Sequence, residues 1–251
     1  MVITQIEYKN LSNEIRNQIP DNETFYYYKL SDKIDSYFIA YDNIFHSNNK
    51  YLFPINETFS NIKESHINAI KKYLNKPLQV MVESNKLDLI NNLKKLGFIL
   101  KRETYERTFT REDLISNEYE QVSIKIFNRD DKEFKMITKN AYDYYLETHK
   151  DINPFTGTFD DFIELVPDKV ICQIENKKIN NLIFVDENEL CYITCNDVNS
   201  FIDFSLTVAN KMFNKFKSIM IEADSTDKFA MTLKMLFKEN SSEIYKTFIY
   251  G

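Results

Sequence analysis

Glycine is scarce in this chain, at three of 251 residues, alongside five prolines and no tryptophan. Positions needing a left-handed or closely approached backbone are therefore few. Cysteine is equally rare: Cys172, Cys191 and Cys195 form no C-x-x-C pair, and His46, His66 and His149 lie far apart in sequence. No metal-ligand spacing results, and the cysteines read as small buried hydrophobes. Also missing is any run of about 18 apolar residues that could span a bilayer. The opening "MVITQIEYKNLSNEIRNQ" lacks a basic segment followed by an apolar one, so the sequence reads as a soluble cytoplasmic protein with no membrane partner. A basic excess is absent too. The net charge is −6 and the paired lysines starting at 71, 94 and 177 are scattered, which disfavours nucleic acid as a partner.

What is present is a folding composition: 43% hydrophobic and 28% charged residues, with 20 Phe and 16 Tyr. The length suits one large domain or two of ordinary size. Apolar spacing predicts a helix in "NLSNEIRNQI", with Ser12 or Asn10 as cap, and strands in "FYYYKL" and "DSYFIAYD". After Tyr51 the order is strand "YLFPI", helix 60–74, strand "LQVMV", helix 86–96 and the long strand "FILKRETYERTF". The charged stretch "TREDLISNEYEQ" is the expected linker.

A second series follows. It comprises strand "VSIKIF", helices 132–149 and 159–165, strands "KVICQIEN", "INNLIFVD" and "ELCYITC", helix 200–216, strand "SIMIEA", helix 227–237 and strand "IYKTFIY". Residues 51–98 overlay 190–237 without a gap at an offset of 139 residues, pairing Met81 with Met220, Glu83 with Glu222, Asp88 with Asp227 and Phe98 with Phe237. The repeated element order argues for an internal duplication. A mixed sheet covered by helices meets the burial needs of such a pattern.

One corner stands out: "IEADSTDKFAMTLKMLF" (221–237) leaves a strand on acidic residues, turns on polar ones and enters an apolar helix. With the preceding residues and the final "IYKTFIY", it resembles the last third of the GNAT superfamily of N-acetyltransferases. The stretch "VMVESNKLDLINNLKKLGFILKRETYERTF" is similar, and "YDYYLETHKDINPF" resembles the substrate-side helical segment of some members. The likeness is clearest over 78–109 and 140–251.

The resemblance implies an α/β (α+β) fold of two tandem GNAT-like domains, 1–112 and 120–251, each a mixed, mostly antiparallel sheet flanked by helices. It implies acetyl-CoA as co-substrate, without a metal. The pantetheine would lie along Tyr192, Ile193, Thr194 and Cys195, and the pyrophosphate at the helix N-terminus near Asp197, Asn199 and Ser200. Asp227 falls where the family's turn residue sits. Glu222 would be the general base and Tyr192 would line the catalytic gap.

Departures accompany the likeness. The loop "CNDVNSFID" has no glycine and two aspartates, which oppose a pyrophosphate, and "INETFSNIKES" in the first half is similarly acidic. The family's proton-donating Tyr falls on Lys234 or Thr232. Each site residue also has a structural reading: Asp224, Ser225 and Asp227 as helix caps, Tyr192 as a core strand residue. The expected function is N-acetyl transfer to a small-molecule or peptide amine. The alternative is a non-catalytic binding or structural protein that retains the fold. The N-terminal unit could serve in homodimerisation or in gating the substrate.

Overall fold

The computed structural model of the chain describes residues 1–17, 19, 24–32, 36–116, 118–238 and 243–251. Gln18, Asp35 and Asn117, which fall in the expected first helix, a strand and the linker, lie outside the described residues. The chain opens with β1 (Val2–Ile6), α1 (Asn13–Arg16), β2 (Tyr26–Ser31), β3 (Ser36–Tyr41) and β4 (Lys50–Leu52). Ser12 caps α1, its side chain accepting from the Ile15 amide. There follow α2 (Asn56–Asn61), α3 (Glu64–Leu74), β5 (Leu78–Glu83), α4 (Leu87–Lys95) and β6 (Ile99–Thr110).

The expected single helix 60–74 is thus two helices. Ile62 and Lys63 are extended, and the Lys63 amide donates to His66 Nδ1 at 3.3 Å, so a side chain restarts the helix where the apolar spacing ran straight through. Gly97 ends α4 at φ +88°, and a Cβ there would meet the Tyr250 ring at 3.0 Å. A residue with a side chain would be strained twice over.

The rest of the chain is β7 (Lys125–Asn128), α5 (Phe134–His149), α6 (Phe159–Leu165), β8 (Lys169–Glu175), β9 (Lys178–Asp186), β10 (Glu189–Cys195), α7 (Val198–Phe213), β11 (Ser218–Asp224), α8 (Lys228–Lys234) and β12 (Glu243–Tyr250). Helix α8 stops short of the expected Phe237. The Leu236 and Phe237 amides bond three residues back, to Leu233 and Lys234, and so tighten the final turn. The strand β1 was not legible: its side chains alternate poorly, and it is held by pairing with β2 from Val2↔Ser31 to Ile6↔Tyr27.

Two compact units result. The first comprises Met1–Arg102, Asp151–Thr156 and Tyr245–Gly251, and the second Glu103–Lys150 and Gly157–Ile244. In the first, the strand order is β1-β2-β3-β4-β5-β12, antiparallel except where β4 runs parallel to β5. Its core includes Leu30, Phe38, Ile67, Ile70, Val80 and Phe248. In the second the order is β6-β11-β10-β9-β8-β7, antiparallel except between β10 and β11. Its core joins Ile183, Val185, Ile219 and Ile221 to Phe201, Phe204 and Leu233 from α7 and α8.

The two ladders are related in register. Glu83 of β5 faces Tyr245 of β12, and Glu222 of β11 faces Glu106 of β6. The same 139-residue offset converts Glu83 to Glu222 and Glu106 to Tyr245. Among the described residues no helix is long and apolar enough to cross a membrane.

Candidate active site

The parallel ladder between β10 and β11 is short. It joins Glu189 to Met220 and Leu190 to Ile221, and both strands continue beyond it, β10 to Cys195 and β11 to Asp224. β11 stays paired with β6 as far as Asp224↔Thr104. β10 departs instead. Its register against β9 jumps between Cys191↔Phe184 and Thr194↔Leu182, and Tyr192 inside the bulge has φ +46°. A non-glycine residue in the left-handed region costs energy and re-aims the strand. The edge of β10 that faces β11 thereby leaves the ladder from Cys191 to Cys195. Ile193 and Thr194 are buried there, and Cys195 is half-buried.

The acidic corner follows the end of β11. Asp227 caps α8, its Oδ1 accepting from the amides of Phe229 at 2.9 Å and Ala230 at 3.0 Å. The same oxygen accepts from the Tyr144 hydroxyl at 2.8 Å. Tyr144 belongs to α5, and its ring also packs on Phe229 with centroids 5.1 Å apart. Burial raises the Asp227 carboxyl, with the nearby Asp224 charge adding to the shift while the three hydrogen bonds oppose it. The Tyr144 phenol is raised too, first by burial and then by Asp227, so it stays a donor. Before the corner, the Ser225 amide donates to Glu103 O, the Glu103 amide to Ser225 Oγ, and Thr104 Oγ1 to Asp224 Oδ1 at 2.6 Å.

At the start of α7, Asp197 is the cap. Its carboxylate accepts from the Asn199 amide at 3.2 Å and from Ser200 Oγ at 2.7 Å, and Asn181 donates to Ser200 Oγ at 2.9 Å. A carboxylate therefore already occupies the helix N-terminus that would otherwise attract an anion. The Cys195 thiol beside it is raised by burial.

Glu222 and Tyr192 lie on the sheet face opposite α7 and α8. Ile221 and Ala223 point into the α7–α8 core, so Glu222 between them points the other way, and it is exposed. The Tyr192 ring packs against Tyr145, Phe162 and Phe184, with centroids 5.9, 5.5 and 6.1 Å away. These rings belong to α5, α6 and β9. Burial, reinforced by Cys191, Glu222 and Glu189, pushes the Tyr192 phenol up to about 12. Glu189 is raised by burial and then by Asp186 and Glu106. Carboxylates thus gather around Tyr192, with Glu222 set directly opposite Glu106 in the ladder. Like charges facing each other across a strand pair repel.

The structure brings Glu222 and Tyr192 into one electrostatic neighbourhood and places Ile193, Thr194 and Cys195 on the departing edge of β10. Asn199 and Ser200 stand in the first turn of α7, tied to Asp197. Asp227 stands at the other helix, tied to Tyr144. Sequence reasoning missed Tyr144, Glu189 and Glu106. The aromatic cluster "YDYY" was visible, but helix periodicity does not say which ring leaves the helix's own face. Among the described residues no group of three or more His, Cys, Asp or Glu could hold a metal ion.

No protein-family model matches the chain, and no curated protein matches it in sequence. Solved structures do match. A GCN5-related N-acetyltransferase from Sphaerobacter thermophilus superposes with TM-score 0.52 at 7% identity, covering 97% of this chain and 87% of that one. An acetyltransferase of the GNAT family from Colwellia psychrerythraea gives TM-score 0.50 at 10% identity, with 100% of both chains covered. A conserved protein of unknown function from Staphylococcus epidermidis gives 0.50 at 15%, covering 88% of this chain and 92% of its own. Identities this low speak to architecture alone: this chain has the fold of the GNAT acetyltransferases.

Proposed function

We propose that the chain is an acyl-CoA-dependent N-acetyltransferase acting on a small-molecule or peptide amine, with its active site in the second unit. The observation that carries this reading is the parting of β10 from β11 beyond Leu190 and Ile221. A strand edge released from its ladder offers main-chain donors and acceptors to an extended amide-bearing arm. The pantetheine of acetyl-CoA fits that edge along Ile193, Thr194 and Cys195. A diphosphate does not fit the first turn of α7 beside Asn199 and Ser200 while the Asp197 side chain caps that turn, so that end of the cofactor would lie further out.

Acetyl-CoA, when bound, supplies the activated thioester. In this reading Glu222 takes the proton of an incoming ammonium, and Glu106 and Glu189 add negative potential that draws a cation to the same face. The Tyr192 hydroxyl, held protonated well above neutral pH, can donate to a developing negative charge. We also propose that the chain descends from two tandem GNAT-like copies, 1–112 and 120–251; the shared ladder register supports this.

The second reading, a non-catalytic binding protein, is favoured by Asp197 at the α7 cap and by the Tyr144–Asp227 bond at the corner. Calorimetric titration with acetyl-CoA at millimolar concentration tests the first reading, and absence of binding sinks it. Turnover of any amine that falls in Glu222→Gln or Tyr192→Phe removes the second.

A further inference from the structure

The two faces of the second unit's sheet carry different helices. Along β9, Phe184 meets Phe134 of α5 edge-on with centroids 5.8 Å apart, whereas its neighbours Ile183 and Val185 join the core with Phe201 of α7 and Phe229 of α8. Alternation therefore puts α5 on one face and α7 with α8 on the other. Tyr145 of α5 stays on its own face, against Tyr192. Tyr144 does not. Its ring packs on Phe229 at 5.1 Å and against the α7–α8 core, and its hydroxyl reaches the Asp227 cap.

A side chain crosses from one face to the other only where the sheet is open. β11 is laddered to β6 through Asp224, and β10 is again laddered to β9 at Thr194 and Cys195. The pairing that lapses is between β10 and β11, after Leu190 and Ile221. Two contacts put Tyr144 at that gap. Its phenol is raised by burial, then by Asp227 and also by Cys195, so it stands close to the last residue of β10. The next residue, Asn196, donates to Asn140 of α5, one turn before Tyr144, at 3.5 Å. Helix α5 thus lies by the end of β10, and Tyr144 reaches past it to the start of α8. We propose that Tyr144 is an autoinhibitory plug, its ring filling the mouth of the β10–β11 parting until it swings aside to admit an extended acyl-thioester chain. That chain is the ligand of the acyltransferase reading, on which this inference rests, whereas the placing of the ring rests on packing. Opening is a local event. Tyr144 is half-buried and a helical tyrosine has more than one χ1 well, so a rotation that gives up Asp227 and Phe229 clears the gap without moving the backbone. Only the open fraction binds, which lowers the apparent affinity by that fraction.

Alkylation of the full chain with iodoacetamide, read at Cys195 by peptide mass mapping, tests the plug without acetyl-CoA. Cys195 should react at least about threefold faster in Tyr144→Ala than in the unaltered protein. Tyr144→Phe, which keeps the ring and loses its tie to Asp227, should fall between the two. Cys172, fully buried in β8, should keep its rate in all three, and a variant that fails to fold would expose it; Tyr144→Phe then carries the comparison. Entry is read by stopped-flow mixing with fluorescent etheno-acetyl-CoA. The binding rate should level off with concentration in the unaltered protein, where opening is limiting, and rise linearly in Tyr144→Ala. Equal Cys195 reactivity in all three proteins overturns the plug whatever acetyl-CoA does, and so does a linear rate in the unaltered protein. Faster Cys195 alkylation with no acetyl-CoA binding to any of the three supports the plug and overturns the acyltransferase reading.

Discussion

The Tyr144 hydroxyl donates to Asp227 Oδ1 at 2.8 Å, and the same oxygen caps α8. One carboxylate therefore holds a helix start and a side chain from a second helix. Truncating Tyr144→Ala removes the ring that packs on Phe229 beside the parting of β10 and β11. Acetyl-CoA should then bind several-fold tighter if Tyr144 obstructs the entry, as isothermal titration of both proteins would read. Unaltered affinity would show that the ring does not stand in the way.

Asp227 also sets a pH dependence. Its folded-state carboxyl is raised, chiefly by burial, above the ordinary value of about 3.9. The folded protein therefore holds this proton to higher pH than the unfolded chain does. Stability is lost as pH rises from the ordinary aspartate range through the raised value. Asp227→Asn keeps a capping oxygen and should flatten that fall, whereas Asp227→Ala should cost about 1 kcal/mol, with a range of about 0.5–2. Urea denaturation at pH 4 and pH 7 for the three proteins checks both.

At α7 the test is electrostatic. Asp197→Asn retains a side-chain acceptor for the Asn199 amide and deletes the charge that opposes an anion. Acetyl-CoA affinity should rise about two- to fivefold at low salt, a gain that shrinks as salt is added. Unaltered affinity would place the diphosphate away from this helix altogether.

For the proposed chemistry, Glu222→Gln should lower kcat/KM by about 100-fold or more with little effect on acetyl-CoA binding. Tyr192→Phe should lower kcat and leave the fold intact, because its ring contacts survive. Steady-state kinetics with a reactive amine, beside melting curves, separates loss of a proton carrier from loss of structure.

Gly97→Ala should destabilise the first unit by about 1 kcal/mol or more. The φ of +88° and the 3.0 Å approach to Tyr250 both resist a side chain. Thermal melting reads the result, and an unaltered midpoint would mean that Tyr250 yields freely.

Much of the architecture was legible in local pattern. Helix α6 begins and ends where the apolar spacing places it, with Thr158 and Asp161 forming the capping box. The long β6 and the repeated order around it followed from alternation and from Asp88 and Asp227 sharing one offset. Other features depend on partners distant in sequence. The break before α3 depends on His66, and β1 depends on β2. The Tyr144 contact joins α5 to a corner more than eighty residues later. The bulge at Tyr192 was invisible because left-handed backbone is ordinarily signalled by glycine or asparagine, and here a tyrosine adopts it.

The pairing of β5 with β12 also bears on how the chain is made. During synthesis β5 emerges early, yet the strand that covers its edge is built from residues 243–250. Until those residues leave the ribosome, the first unit has an open strand edge beside Val80 and Val82, a template for pairing with a neighbouring nascent chain. The ladder between β6 and β11 has no such wait, because β6 precedes β11 and is ready when it arrives. Order of pairing therefore reverses order of synthesis: the β6–β11 ladder can form while β5 is still waiting for its partner.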